Sequence, residues 1–230
     1  MPIRQGEAMR TAIFDLDGTL ADTSGDLIAA ANSCFGSLGY GSLLDPVADK
    51  IVAFEGGRAM LRLGFARIRG EKPSEDEVDE QYPLLLQAYQ RNIDRYTCVY
   101  PGVRNALGEL ISAGWVVGVC TNKPEALAIE LLGRLELLGL MNSVVGADTL
   151  PYRKPNPEPL VAAVVRAGGK VERSFLVGDT KIDRDTARAA GVASVLVSFG
   201  PAGEQLRRLA PDAMLDHYDD LPKLAGTLVS

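Results

Sequence analysis

Three observations predict an α/β fold, in which a Rossmann-like parallel sheet carries a small inserted helical domain. After about residue 100, short apolar runs alternate with helix-patterned segments, and strands that alternate with helices imply a parallel sheet covered on both faces. About residues 21–97 instead carry helical periodicity without a convincing strand. Before that insert, the apolar run Ala12-Ile13-Phe14 ends in Asp15-Leu16-Asp17-Gly18-Thr19. Side chains two apart on a strand share a face, so both acids project toward one space where the strand ends. Two such acids repel unless a cation or a proton separates them. Alone, the pattern fits a metal or acid/base site and a polar turn equally well.

In chain order, a polar segment of ten residues, expected to fray, precedes a strand at about Thr11 to Leu16. Asp22, Thr23 and Ser24 offer caps for a helix whose Leu27, Ala31, Phe35 and Leu38 repeat every three to four residues. Gly36, Gly39 and Gly41 mark its end. Residues 42–97 read as helical: Ala59 to Arg69 is rich in apolar residues, and Ser74 with Glu77 forms a capping-box pattern. Val78, Tyr82, Leu85, Tyr89 and Ile93 then define one face, with a kink or break expected at Pro83. Beyond Pro101-Gly102 come a helix over Val103 to Ala113 and a buried strand over Trp115 to Cys120 that delivers Thr121-Asn122. A helix near Glu125 to Leu138, a short strand at Val144-Val145 and the segment Lys154-Pro155-Asn156-Pro157-Glu158-Pro159 follow. A helix near Leu160 to Ala167 leads to the strand Phe175-Leu176-Val177, which ends in Gly178-Asp179. A helix near Arg184 to Ala190, a strand over Ala193 to Val197 and weaker elements complete the chain.

This pattern divides the 230 residues into a core of residues 1–20 and 98–230 and a helical domain of residues 21–97. Ligands of open parallel sheets bind beyond the carboxyl ends of the strands. Asp15, Thr121 and Asp179 should therefore surround one crevice, with the insert placed to act as a lid. A net charge of −6 argues against a general nucleic-acid or anionic-membrane surface. Cys34, Cys98 and Cys120 lack the spacing of a zinc site or a disulfide framework. Residues 1–10 lack a secretory apolar run, and no long apolar stretch reads as a membrane span. A cytoplasmic protein with reduced thiols is expected.

Asp15-x-Asp17-Gly18-Thr19, Thr121-Asn122, Lys154-Pro155 and Gly178-Asp179-Thr180-x-x-Asp183 together resemble, in order, the four motifs of the haloacid dehalogenase superfamily. Tyr100 to Val103, Thr121 to Pro124 and Lys154 to Pro159 are similar to its phosphoglycolate phosphatase branch, as is the position of the helical cap. The resemblance implies a Mg2+-dependent hydrolase of a small phosphomonoester, 2-phosphoglycolate being the best single guess. It implies that Asp15 is the nucleophile that forms an aspartyl-phosphate, and that Asp17 is the acid and base. Asp15, the main-chain carbonyl of Asp17, and Asp179 would hold the metal, with Asp183 acting directly or through water. Thr121 and the amide of Asn122 would grip phosphoryl oxygens, and Lys154 would neutralise charge. A glycine-bearing cap loop near Glu55-Gly56-Gly57-Arg58 faces the active site in that family, so Arg58 is a candidate partner for a substrate carboxylate. Arg58 is otherwise a solvated cation at a helix start, where the dipole mildly disfavours it.

Elementary electrostatics makes the same demands. A carboxylate approaching a phosphate dianion meets repulsion of about 8 kcal/mol at roughly 4 Å and an effective dielectric near 20. Positive charge nearby is therefore required, and a metal ion and a compact lysine ammonium can supply it. Taken singly, Asp179 and Asp183 also fit an acidic helix start, Lys154 a solvated turn and Thr121 a strand end. Asp185 and Thr186 are read as helix surface or local packing, Cys120 as core, Lys123 as exposed and near substrate, and His217 as non-catalytic. A phosphomutase of the β-phosphoglucomutase type, a metal-independent 2-haloacid dehalogenase and a non-catalytic binding protein are the alternatives. Asp17 argues against the dehalogenase, which lacks an acid there.

Overall fold

A computed structural model describes residues 9–229 of the chain, so the fraying expected of the first ten residues falls largely outside the described residues. The chain divides into two compact units, one running to Leu20 and resuming at Val99, the other Ala21–Cys98. After β1 (Met9–Phe14) and β2 (Ala21–Asp22), the second unit holds α1 (Ser24–Ser37), α2 (Lys50–Phe54), α3 (Gly57–Arg69) and α4 (Glu75–Arg91). From β3 (Cys98–Val99) the chain continues through α5 (Val103–Ser112), β4 (Val116–Cys120), α6 (Glu125–Arg134), β5 (Ser143–Val145) and α7 (Glu158–Arg166). It then forms β6 (Gly169–Gly178), α8 (Lys181–Ala190), β7 (Ala193–Val197), β8 (Ala213–Leu215) and α9 (Leu221–Leu228).

Six strands pair in the order β5-β4-β1-β6-β7-β8, and each described pairing is parallel. Parallel neighbours need crossovers, and the helices between them bury the sheet. Ile13, Cys120, Val145 and Leu176 pack with Leu160, Ala163 and Val164 of α7 and Ala187 of α8 in one buried cluster. Register decides the site: Phe14 lies opposite Val119 on β4 and Val177 on β6. Three neighbouring strands thus end at one level, and the residues that follow them leave the sheet together.

The helical unit departs from expectation in two details. On α1 the buried stripe is Ile28, Ala31, Cys34 and Phe35, while Leu38 is exposed. Leu27 and Leu38 share the helical period but lie to the side of the face that packs. Nor does Pro83 break α4, which runs unbroken over Glu75–Arg91. One lost backbone bond costs about 3 kcal/mol, against the capping box of Ser74 with Glu77 and a buried face of Val78, Leu85 and Tyr89.

In the core, β6 begins at Gly169, well before the apolar run, and its first half is polar and partly exposed. In that half only Gly169 pairs with β1, opposite Met9, and after an irregularity in register the ladder resumes at Ser174. The weak C-terminal region supplies a sixth strand, β8, and α9. Leu176 is 1% exposed in the centre of this sheet. Its replacement by Ala should cost about 2–5 kcal/mol, measured as a lower midpoint in urea unfolding with an unchanged slope.

Candidate active site

Asp15 is the first residue beyond β1, and its N–H donates to the Val177 carbonyl at 2.8 Å. The chain turns away at Gly18, whose φ of 80° suits a residue without Cβ. Asp179 follows β6, and Asp183 sits on the first turn of α8. Carboxylate oxygens of Asp15, Asp179 and Asp183 all lie within 4.8 Å of one another. Lys154 Nζ stands 3.0 Å from Asp15 Oδ1 and 2.6 Å from Asp183 Oδ1.

These groups are nearly dry. Burial first, and then the charges of Asp183 and Asp17, push Asp15 up to about 6 against the opposing pull of Lys154. Asp179 is raised well above the carboxylate range by burial and by Asp183 and Asp15. Burial would lower Lys154, but the carboxylates of Asp15 and Asp183 outweigh it and raise the ammonium. Three carboxylates against one ammonium leave two negative charges. Hard oxygen donors with that imbalance suit a divalent cation, and among the described residues Asp15 Oδ1 has no aligned hydrogen-bond donor.

Thr121 follows β4 and accepts the Lys123 N–H at 3.1 Å through Oγ1. Its hydroxyl proton and the main-chain N–H of Asn122 have no acceptor among the described residues. Asn122 Nδ2 donates to the Lys154 carbonyl at 3.1 Å, which ties the β4 loop to the lysine loop. Asp17 is not part of the three-acid cluster. Its oxygens lie 2.8 and 3.0 Å from Lys123 Nζ.

The family described as haloacid dehalogenase-like hydrolase matches residues 12–197. The chain belongs to the haloacid dehalogenase-like hydrolases. A phosphoglycolate phosphatase of Agrobacterium fabrum is 36% identical over 220 residues, 95% of this chain and 94% of that one. One from Mesorhizobium japonicum is 37% identical over 222 residues, 94% and 95% of the two chains. A haloacid dehalogenase-like family hydrolase of Streptococcus pneumoniae has the same fold, with a TM-score of 0.77 at 23% identity, covering 94% of this chain and 98% of that one.

In this haloacid dehalogenase-like hydrolase the core unit brings together Asp15, Lys154, Asp179 and Asp183. Arg58 lies in the helical unit, where its guanidinium pairs with Asp79 and stands 4.6 Å from the centre of the Tyr82 ring. Those partners account for a cation at a helix start. Lys123 corrects the sequence reading: it is buried, not exposed, because Asp17 neutralises it. Cys120 is fully buried, and burial pushes its thiol up to about 12, so it serves as core. Asp185 pairs with Lys181 and Arg184, Thr186 donates to the Ile182 carbonyl at 2.7 Å, and His217 Nδ1 accepts the Asp219 N–H at 3.2 Å.

Supporting residues escaped sequence reasoning. Thr19 Oγ1 donates to Asp179 Oδ1 at 3.2 Å, and buried Tyr218 donates to the Thr19 carbonyl at 2.8 Å. Thr180 donates through N–H and Oγ1 to Asp183 Oδ2, at 3.1 and 2.6 Å. Asp183 thus caps α8 with one oxygen and meets Lys154 with the other, so helix start and site group are the same role. Thr19 and Thr180 lay inside the motifs, whereas nothing local marks Tyr218.

A Cβ on Gly178 would overlap Asp183 Cβ and Cγ. Gly178→Ala should displace Asp183 and cost about 1–3 kcal/mol, read by thermal melts, together with weaker cation binding. The folded pKa of Asp15, about 6, exceeds its ordinary 3.8. Between these values the folded state holds a proton that the unfolded chain has lost, so this contribution to stability falls as pH rises. Asp179 acts in the same direction. An added divalent cation should offset the loss and raise Tm more at pH 8 than at pH 5.

Proposed function

We propose that the chain is a Mg2+-dependent phosphatase of a small phosphomonoester, with 2-phosphoglycolate as substrate. One observation carries this reading: the buried carboxylate of Asp15 faces an ammonium and two further buried acids at the level where Thr121 and Asn122 offer donors without an acceptor among the described residues. The names of the relatives support the choice of ester.

Asp15 attacks phosphorus while Asp17 gives its proton to the departing ester oxygen, leaving an alcohol and a phosphorylated Asp15. Asp17 then takes a proton from a water that attacks the phosphorus, which releases inorganic phosphate and restores Asp15. The Thr121 hydroxyl and the Asn122 N–H donate to phosphoryl oxygens, and Lys154 balances their charge. Asp15, the Asp17 carbonyl and Asp179, with Asp183 in support, would hold Mg2+, which would supply positive charge to offset the repulsion of carboxylate and phosphate dianion. Arg58 would have to leave Asp79 and Tyr82 to meet a substrate carboxylate.

The enzyme is placed in the cytoplasm as part of this proposal. Cys34, Cys98 and Cys120 are free, and no described helix is long and apolar enough to cross a membrane.

Asp15→Asn should lower metal-dependent hydrolysis of an aryl phosphate by at least about 10³-fold with an unchanged circular dichroism spectrum. Full activity in this variant would overturn the mechanism. Release of inorganic phosphate, rather than an isomerised sugar phosphate, excludes a mutase, and loss of activity with a chelator excludes a dehalogenase.

A further inference from the structure

We propose that Tyr218 is a positioning residue for the cation site: its hydroxyl holds the peptide that follows Thr19, and that peptide aims the Thr19 hydroxyl at Asp179. The affinity of the three-acid cluster for a divalent cation is thereby set in part by a residue 199 positions further along the chain. The inference rests on the reading of Asp15, Asp179 and Asp183 as a cation site, and extends it to a side chain that hydrogen-bonds to none of them.

Asp179 is the acid of the cluster that depends on such help. Lys154 Nζ meets Asp15 and Asp183, but among the described residues no ion pair reaches Asp179. There its carboxylate has one hydrogen-bond donor, the hydroxyl of fully buried Thr19, at 3.2 Å. A carboxylate offers about four lone-pair positions, so the direction of that one donor selects which of them face the cluster. Where Thr19 stands decides how Asp179 is presented.

Thr19 is fixed through its backbone. The Leu20 N–H donates to the Leu16 carbonyl at 3.0 Å, and the Tyr218 hydroxyl donates to the Thr19 carbonyl at 2.8 Å. One planar peptide is thus held at both edges. Freeing one edge loosens that peptide and the Thr19 Cα bonded to it. Tyr218 is itself held in place. It opens a short 3₁₀ helix, Tyr218–Asp220, whose start is capped by His217 Nδ1 accepting the Asp219 N–H at 3.2 Å. The fully buried ring packs on Phe199 with centroids 5.6 Å apart, and Phe199 packs on Tyr100 at 4.7 Å. On the other side, Gly102, with a φ of 83°, leaves room: a Cβ there would stand 3.0 Å from Tyr218 Cβ. A ring confined in this way offers its hydroxyl at one place, which is what the support of a metal ligand requires.

Calorimetric titration of the whole chain with Mg2+, without substrate or turnover, tests this. Tyr218→Phe keeps the ring and deletes the hydroxyl, and should weaken Mg2+ binding about tenfold, the scale on which the outer partner of a metal ligand acts. Ser143→Ala is the control for a purely structural effect: Ser143 Oγ also donates to a main-chain carbonyl of the core unit, that of Ala163 at 2.7 Å. Its loss should change Mg2+ affinity less than about twofold. Thr19→Val should weaken binding at least about tenfold, and Thr19→Ser, which keeps the hydroxyl, should recover most of that. Adding Tyr218→Phe to Thr19→Val should weaken binding less than about twofold further, because both changes cut the same link. An unchanged affinity in Tyr218→Phe overturns the proposal, as does a loss no larger than that of Ser143→Ala or a double variant whose losses multiply. Should Tyr218→Phe not fold, an unchanged affinity in Thr19→Val overturns it equally. Wild-type protein that takes up no Mg2+ overturns the cation reading and this inference together, whereas wild-type uptake with an unaffected Tyr218→Phe overturns this inference alone.

Discussion

The structure depends on a concentration of like charge held dry around one ammonium. Asp15, Asp179 and Asp183 converge within 4.8 Å, with Lys154 in contact with two of them. Such a cluster opposes folding unless every other lone pair is met. The surrounding structure meets some of those of Asp179 and Asp183: Thr19 binds Asp179, Thr180 binds Asp183, and Tyr218 fixes Thr19 through its carbonyl. Gly178 leaves the space in which Asp183 turns back toward the sheet. The residual negative charge is what makes the cluster receptive to a divalent cation.

Two lysines divide the acids of the first motif between unlike tasks. Asp15 and Asp17 are two residues apart, yet Asp15 faces Lys154 and Asp17 faces Lys123. Each lysine arrives on a different loop, one after β4 and one before α7. The two carboxylates can thereby be held in different electrostatic surroundings although they leave the same strand. That separation is what a mechanism with one nucleophile and one proton carrier requires.

The parallel sheet was readable from the apolar runs at Ile13, Val117 and Leu176, because strands buried on both faces need continuous hydrophobicity. The acids and Lys154 were readable because their motifs are local and ordered. β8 and the early half of β6 were not, since partly exposed ladders leave little hydrophobic trace. Lys123 misled because burial of a lysine depends on a partner 106 residues away in the chain. The break allowed for at Pro83 is absent for a similar reason, a local penalty outweighed by cap and packing.

By itself the sequence determined the alternation of strands and helices, the helical insert and the identity of the charged groups, because periodicity and motif spacing are properties of neighbouring residues. Only the tertiary structure decided which charge meets which. Register brought β4, β1 and β6 to one level, and that alignment assigned Lys154 to Asp15 and Asp183, and Lys123 to Asp17. Ion pairing follows distance in space, and distance in space is set by the fold.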